Sequence, residues 1–132
     1  MNLHNSFVSK KLLKPKILLR AMGARRDGGY CLVLKALFEN YGFDVFISCT
    51  RNFDFALKFW KPDIVIVSNF GAAMRVKNIL PDTFLVYLEG EWGADGVYDL
   101  EEIASKYSSN FKLYDLILLW GDSHIDGFKK YK

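Results

Sequence analysis

Five short, unbroken apolar runs constrain this chain more than any other feature. They are Ile17-Leu18-Leu19, Val45-Phe46-Ile47, Ile64-Val65-Ile66-Val67, Phe84-Leu85-Val86-Tyr87-Leu88 and Leu116-Ile117-Leu118-Leu119-Trp120. Each ends in small or polar residues, and the segments between them carry helical spacing with polar faces. A strand that is apolar at successive positions has both faces buried, and sheets buried on both faces are parallel sheets covered by helices. Such sheets bind ligands in the loops beyond the carboxyl ends of their strands. The question of function therefore narrows to a few short loops.

Local signals set the boundaries. Residues 1–14 read as a basic tail, in which Lys10, Lys11 and Lys14 flank Leu12 and Leu13, and Pro15 stops any helix from entering the first strand. Residues 15–132 read as a single domain. Strands are expected at about 16–22, 43–48, 64–68, 83–88 and 114–120. Helices are expected from Tyr30 to Tyr41, stopped by Gly42, in a short stretch ending near Trp60 and capped by Asn52 or Asp54, from Ala72 to Ile79 ahead of Pro81, and from Leu100 to Tyr107 behind an Asp99 cap. Ser108-Ser109-Asn110 reads as a break, and a last amphipathic stretch begins after the fifth strand. The fold class is α/β: a three-layer Rossmann-like domain, with a mostly parallel five-stranded sheet and helices on both faces. Right-handed crossovers and the usual doubly wound pattern suggest the order 3-2-1-4-5.

Bulk properties exclude several function classes. A 51% hydrophobic and 16% aromatic composition is that of a folded domain. The net charge of +3 from 18 basic and 15 acidic residues is too small to imply nucleic acid. No apolar run approaches the ~20 residues of a membrane helix, and Met1 to Ser9 lacks a signal peptide's apolar stretch, so a soluble cytoplasmic protein is expected. The basic tail could make weak peripheral contact with anionic lipid, although a solvated end is the commoner outcome. Cys31 and Cys49 form no CxxC or zinc-type cluster and read as two reduced, buried thiols. No cluster of His, Cys and carboxylates has metal spacing, and no cofactor is expected.

Two loops carry the candidate chemistry. The first, Gly23 to Gly29, follows the first strand, where phosphate is often bound. Neither a three-glycine dinucleotide fingerprint nor a P-loop is present, because Ala24-Arg25 follows Gly23 and Gly29-Tyr30 stands where Lys and Ser or Thr are required. What remains is a turn with Gly23, Gly28 and Gly29 that presents Arg25 and Arg26 at a helix N-terminus, a place where backbone N–H groups and guanidinium forks converge on an anion. The alternative is a flexible loop with solvated arginines. A phospho-acceptor receiver domain is excluded, since Ala21-Met22-Gly23 and Ser68-Asn69-Phe70 stand where its acidic residues belong.

The second loop follows the fourth strand. Glu89 and Glu91 flank Gly90 beside Trp92, and two carboxylates this close in a partly apolar mouth are suited to general acid–base work. Gly90 lets backbone approach a ligand, and Trp92 and Tyr98 offer stacking surfaces. Asn69 after the third strand and Asp95 within this loop complete the candidate binding set. The plainer alternative is a solvent loop whose acids pair with Arg25 or Arg26. Ser123-His124 lies outside any nucleophile elbow, and Ser123 reads as a helix cap.

Lys61-Pro62-Asp63 leading into Ile64–Val67, Tyr114-Asp115-Leu116-Ile117-Leu118-Leu119-Trp120-Gly121-Asp122, and the ending Phe128-Lys129-Lys130-Tyr131 together resemble the N-terminal domain of GT-B-fold glycosyltransferases. Within that group the chain is most similar to bacterial surface-carbohydrate (capsule and lipopolysaccharide) biosynthesis proteins, with Arg25-Arg26-Asp27 and Glu89-Gly90-Glu91 supporting the narrower match. The resemblance covers about residues 16–132. It implies an acceptor-side domain that takes a sugar or anionic acceptor, with nucleotide-sugar contacts and turnover requiring a second Rossmann-like domain that would begin after Lys132. Glu89 or Glu91 would then be the base, and Arg25 and Arg26 would steady the acceptor. The competing expectation is a non-enzymatic α/β domain that binds a small anion or a protein partner.

Overall fold

The computed structural model describes residues 13–23, 25–89, 100–119 and 129. The strands are β1 (Lys16–Ala21), β2 (Asp44–Cys49), β3 (Ile64–Val67), β4 (Phe84–Leu88) and β5 (Leu116–Leu118). All pair in parallel, as the apolar runs predict. The helices are α1 (Gly28–Asn40), α2 (Phe53–Phe55), α3 (Ala72–Ile79) and α4 (Leu100–Phe111). A 3₁₀ turn over Thr50–Asn52 leads into α2, which widens into a π-type turn over Ala56–Trp60. This is a three-layer Rossmann-like α/β fold.

The strand order is β2-β1-β3-β4-β5, not 3-2-1-4-5. β1 pairs with β2 in the register Ile17↔Val45 and with β3 in the register Ile17↔Ile64. The reason is hydrophobic. Every residue of β3 is apolar, which suits an interior strand, whereas β2 alternates, with Asp44, Phe46 and Cys49 exposed. An interior place for β2 would bury Asp44; the edge position leaves it in water. The observed order is the flavodoxin-like variant of the doubly wound sheet.

Two apolar cores cover the two faces. On one face, α1 packs Cys31 over Ile17, Leu19, Ala21 and Val45. On the other, Leu18, Val65, Val67, Leu85 and Tyr87 meet Phe53 and Leu57 around α2, Val76 of α3 and Phe111 of α4. Phe70 stacks on Tyr87 with ring centroids 3.7 Å apart and meets Phe111 edge-on at 4.7 Å. On α1's side, Phe84, Leu116 and Leu118 remain over 40% exposed, the described helices leaving this end of the sheet open.

Several boundaries differ from expectation. α4 continues through Ser108-Ser109-Asn110 to Phe111, whose 2% exposure explains why: burial of that ring outweighs the weak helix preference of the three residues before it. α1 begins two residues before Tyr30. Gly42 does stop it, at φ 89°. Asn52 precedes α2 without a side-chain cap, and Asp54 instead pairs with Arg75. Cys31 is a buried free thiol, as expected, but Cys49 is exposed, because it ends an edge strand. Among the described residues no helix is long and apolar enough to cross a membrane. The Asp99 cap, the basic residues Lys10 and Lys11, and the stretch from Trp120 to Phe128 lie outside the described residues.

Candidate functional site

At the carboxyl edge of the sheet the connections diverge: β1 leads to β2 on one side, and β3 leads to β4 on the other. Loops turning opposite ways leave a crevice at this switch point. Here it lies between the β1–α1 loop and the β3–α3 loop. The two loops touch where the Asn69 side-chain amide nitrogen approaches the Met22 sulfur at 3.7 Å.

Asp27 shapes the first loop. It stands immediately before α1, where an aspartate ordinarily caps its own helix. Its carboxylate turns back and accepts the Met22 N–H at 2.6 Å, and it makes no cap bond to α1. The backbone closes the same turn, with Asp27 N–H donating to the Gly23 carbonyl at 2.9 Å. Arg26 lies 3.6 Å from the same carboxylate, which is 2% exposed. With that carboxylate turned back and no acidic residue in its first turn, the α1 N-terminus has no side-chain cap on its first N–H groups.

The candidate residues of this loop are brought together. Gly28 and Gly29 form the first turn of α1, and beyond their chain neighbours and the helix's own backbone no atom lies within 4 Å of where a Cβ would stand on either. Arg25 and Arg26 are exposed beside them. Tyr30 near the start of α1 and Ser68 at the end of β3 lie against each other. The Ser68 hydroxyl is buried against the Tyr30 side, and burial pushes the Tyr30 phenol up to about 12. Neutral throughout the physiological range, Tyr30 can donate a hydrogen bond.

Asn69 is held by its own loop: its side-chain oxygen accepts the Gly71 N–H at 2.7 Å. Across the fold, the Tyr114 hydroxyl donates to the Asn69 and Phe70 carbonyls at 2.9 and 3.1 Å, which fixes the β3–α3 connection. Glu89 directly follows β4, where its N–H donates to the Leu118 carbonyl at 3.0 Å, and the residue is only 3% exposed. Its charge is close enough to raise the Tyr87 phenol further, after burial, while Arg26 opposes that rise. Glu89 and Arg26 thus act on one side chain from the same edge. Gly90, Glu91, Trp92 and Asp95 lie outside the described residues.

Sequence reasoning missed two groups here. Asp27 was legible only as part of a loop, and nothing local signals that its carboxylate would turn backwards. Arg20 was legible as a basic residue ending an apolar run, but not as a buried one. Among the described residues no group of three or more His, Cys, Asp or Glu side chains could hold a metal ion.

A cavity of about 790 Å³ opens at the opposite, amino edge, lined by Leu13, Lys14, Pro15, Lys16, Asp44, Lys61 and Asp63. Its polar groups are largely engaged in structure. Asp63 accepts the Lys16 N–H at 2.8 Å, and the Lys16 ammonium donates to the Trp60 carbonyl at 3.1 Å while lying over the Trp60 ring. The carboxyl edge has the open helix end. The chain matches no family model and no curated protein.

Proposed function

We propose that this chain is the acceptor-side domain of a glycosyltransferase of surface-polysaccharide biosynthesis, and that its carboxyl edge holds an anionic sugar acceptor. The observation that carries the reading is the uncapped α1 N-terminus, flanked by Arg25 and Arg26, on the edge where the buried Glu89 carboxylate ends β4. The arginines and first-turn N–H groups suit a phosphate or carboxylate on the acceptor. Glu89 suits the proton: as the acceptor oxygen bonds to the anomeric carbon, the nucleoside diphosphate leaves with the bonding pair and the hydroxyl proton passes to the carboxylate. Glu91, two residues on, is the other candidate base. Nucleotide-sugar contacts come from a second domain in this reading.

Sugar transfer from a nucleotide sugar, assayed with the full-length native protein, is the test. Glu89→Gln should lower kcat at least ~10²-fold while leaving the acceptor KM little changed. Unchanged turnover would remove Glu89 from the mechanism.

The second reading is an α/β domain that binds a small anion or anionic partner without chemistry. The flavodoxin-like strand order favours it, since that order places a phosphate-bearing ligand at the β1/β3 switch point without requiring a second domain. Binding of a sugar phosphate by the chain, with no transfer by the full-length protein, is its expected signature.

A further inference from the structure

Arg20 occupies the fifth position of β1, on the face it shares with Leu18 and α2, where an interior strand ordinarily carries an apolar side chain. It is 7% exposed. Its guanidinium carbon lies 4.8 Å from the Phe53 ring centroid, a stacked cation–π contact. Its Nε is enclosed and without a hydrogen-bond partner. Among the described residues no hydrogen bond or ion pair reaches the guanidinium. A buried arginine is ordinarily paired, because an uncompensated charge in such a place is costly.

The groups around it are Arg75 from α3, the Tyr114 hydroxyl, Asp54 from α2, and Asp27. None neutralises it directly. Asp54 is paired with Arg75, whose Nη2 donates to Oδ2 at 2.6 Å and whose Nε lies 2.5 Å from Oδ1, although Oδ1 is enclosed and has no hydrogen bond. Asp27 is taken by the Met22 N–H, and the Tyr114 hydroxyl donates to two carbonyls. α3 begins beside this cluster, with no side-chain cap and no acidic residue in its first turn. The Ala72 and Ala73 N–H groups fold back onto the Asn69 and Phe70 carbonyls, so the helix contributes its dipole and not free donors.

From this geometry we propose that Arg20 anchors an oxyanion site for a phosphoryl group, on the α2/α3 face of the crevice and separate from the Arg25–Arg26 loop on the α1 face. The two terminal amino groups grip the anion end-on, and Arg75 and the α3 dipole supply further positive potential. A phosphomonoester fits better than a carboxylate, because its charge of about −1.5 to −2 and its three acceptor oxygens draw more from an arginine fork than a single carboxylate does. This inference does not depend on sugar transfer. It assigns a binding role to a residue outside the loops considered above.

The test is a titration of the chain with inorganic phosphate, followed by ¹⁵N-correlated NMR that includes the arginine Nε–H signals, with acetate as the control anion. Phosphate should shift the Arg20 Nε–H and the Ala72 and Ala73 amides, and acetate should shift them far less. Arg20→Lys, which keeps the charge and loses the fork, should weaken this binding at least ~10-fold. Arg75→Gln, on the surface, should weaken it about threefold even if the Arg20 variant fails to fold. Arg25→Ala with Arg26→Ala should leave it unchanged. Shifts confined to Gly28 and Gly29 would uphold the loop site and overturn this one. Equal response to acetate, or no shift at Arg20 up to about 50 mM phosphate, fifty times a millimolar Kd, would overturn it as well.

Discussion

Single residues decide how the connections turn. Gly42 leaves α1 at φ 89°, a conformation open to glycine at little cost, and its identity announces the turn in the sequence. Lys61 does the same work after the π-type turn at φ 51°, but as a lysine it carries the steric penalty of the left-handed region. Nothing in Lys61-Pro62-Asp63 advertises that conformation, because lysine is compatible with almost any other. Lys61→Gly should therefore raise stability, by about 0.5–1 kcal/mol, measured as a shift of the denaturation midpoint at constant m. A loss of stability would mean that Lys61 earns its place through contacts of its side chain.

Elements are legible where one strong signal governs them, and misleading where two signals compete. The Ala72–Ile79 helix runs between a glycine turn and Pro81, and its bounds follow from the sequence. α4 does not, because a local Ser-Ser-Asn signal competes with a buried Phe111 that only tertiary packing reveals. β5 begins at Leu116, later than the start expected near 114, because the rung before it is supplied by a side chain. Asp115 accepts the Leu85 N–H at 2.7 Å with its carboxylate and donates its own N–H to the Leu85 carbonyl at 2.9 Å. The Lys77 ammonium then ties Asp115 and the Thr83 carbonyl together, at 3.0 and 2.8 Å.

Burial alone would raise the Asp115 carboxyl, but the Leu85 N–H and Lys77 outweigh it and hold the group below its ordinary 3.8. A carboxyl lowered by folding stabilises the fold fully above its unfolded pKa, and that share is lost as pH falls through the folded value. Asp115→Ala leaves the buried Leu85 N–H without a partner and should cost about 1–3 kcal/mol at neutral pH. Asp115→Asn keeps an acceptor, so it should cost less and flatten the loss of stability below about pH 4. Identical acid limbs for wild type and Asp115→Asn would show that the pairing with Lys77 carries no net stability.

At the scale of the molecule, the parallel α/β sheet was readable from five apolar runs, because burial on both faces leaves no polar position to alternate. Strand order was readable only in part. The alternation of β2 against the uniform β3 did mark β2 for an edge, yet the usual doubly wound order points the other way. The candidate site was readable as two loops beyond strand ends. Its working parts, the backward turn of Asp27 and the unpaired Arg20 under α3, depend on contacts between segments distant in sequence, which no local pattern encodes. The sheet converges these groups on one edge, and a cavity of about 790 Å³ opens at the other.

The central claim is that the carboxyl edge of the sheet is where this chain meets an anionic ligand. Mapping backbone amide shifts during titration with a hexose 1-phosphate tests it most directly. The account predicts the largest shifts at Gly28, Gly29, Tyr30, Asn69 and Glu89, reduced at least ~10-fold in affinity when Arg25 and Arg26 are both replaced by alanine. Shifts centred instead on Lys14, Lys16, Asp44, Lys61 and Asp63 would move the binding site to the amino-edge cavity and contradict the account.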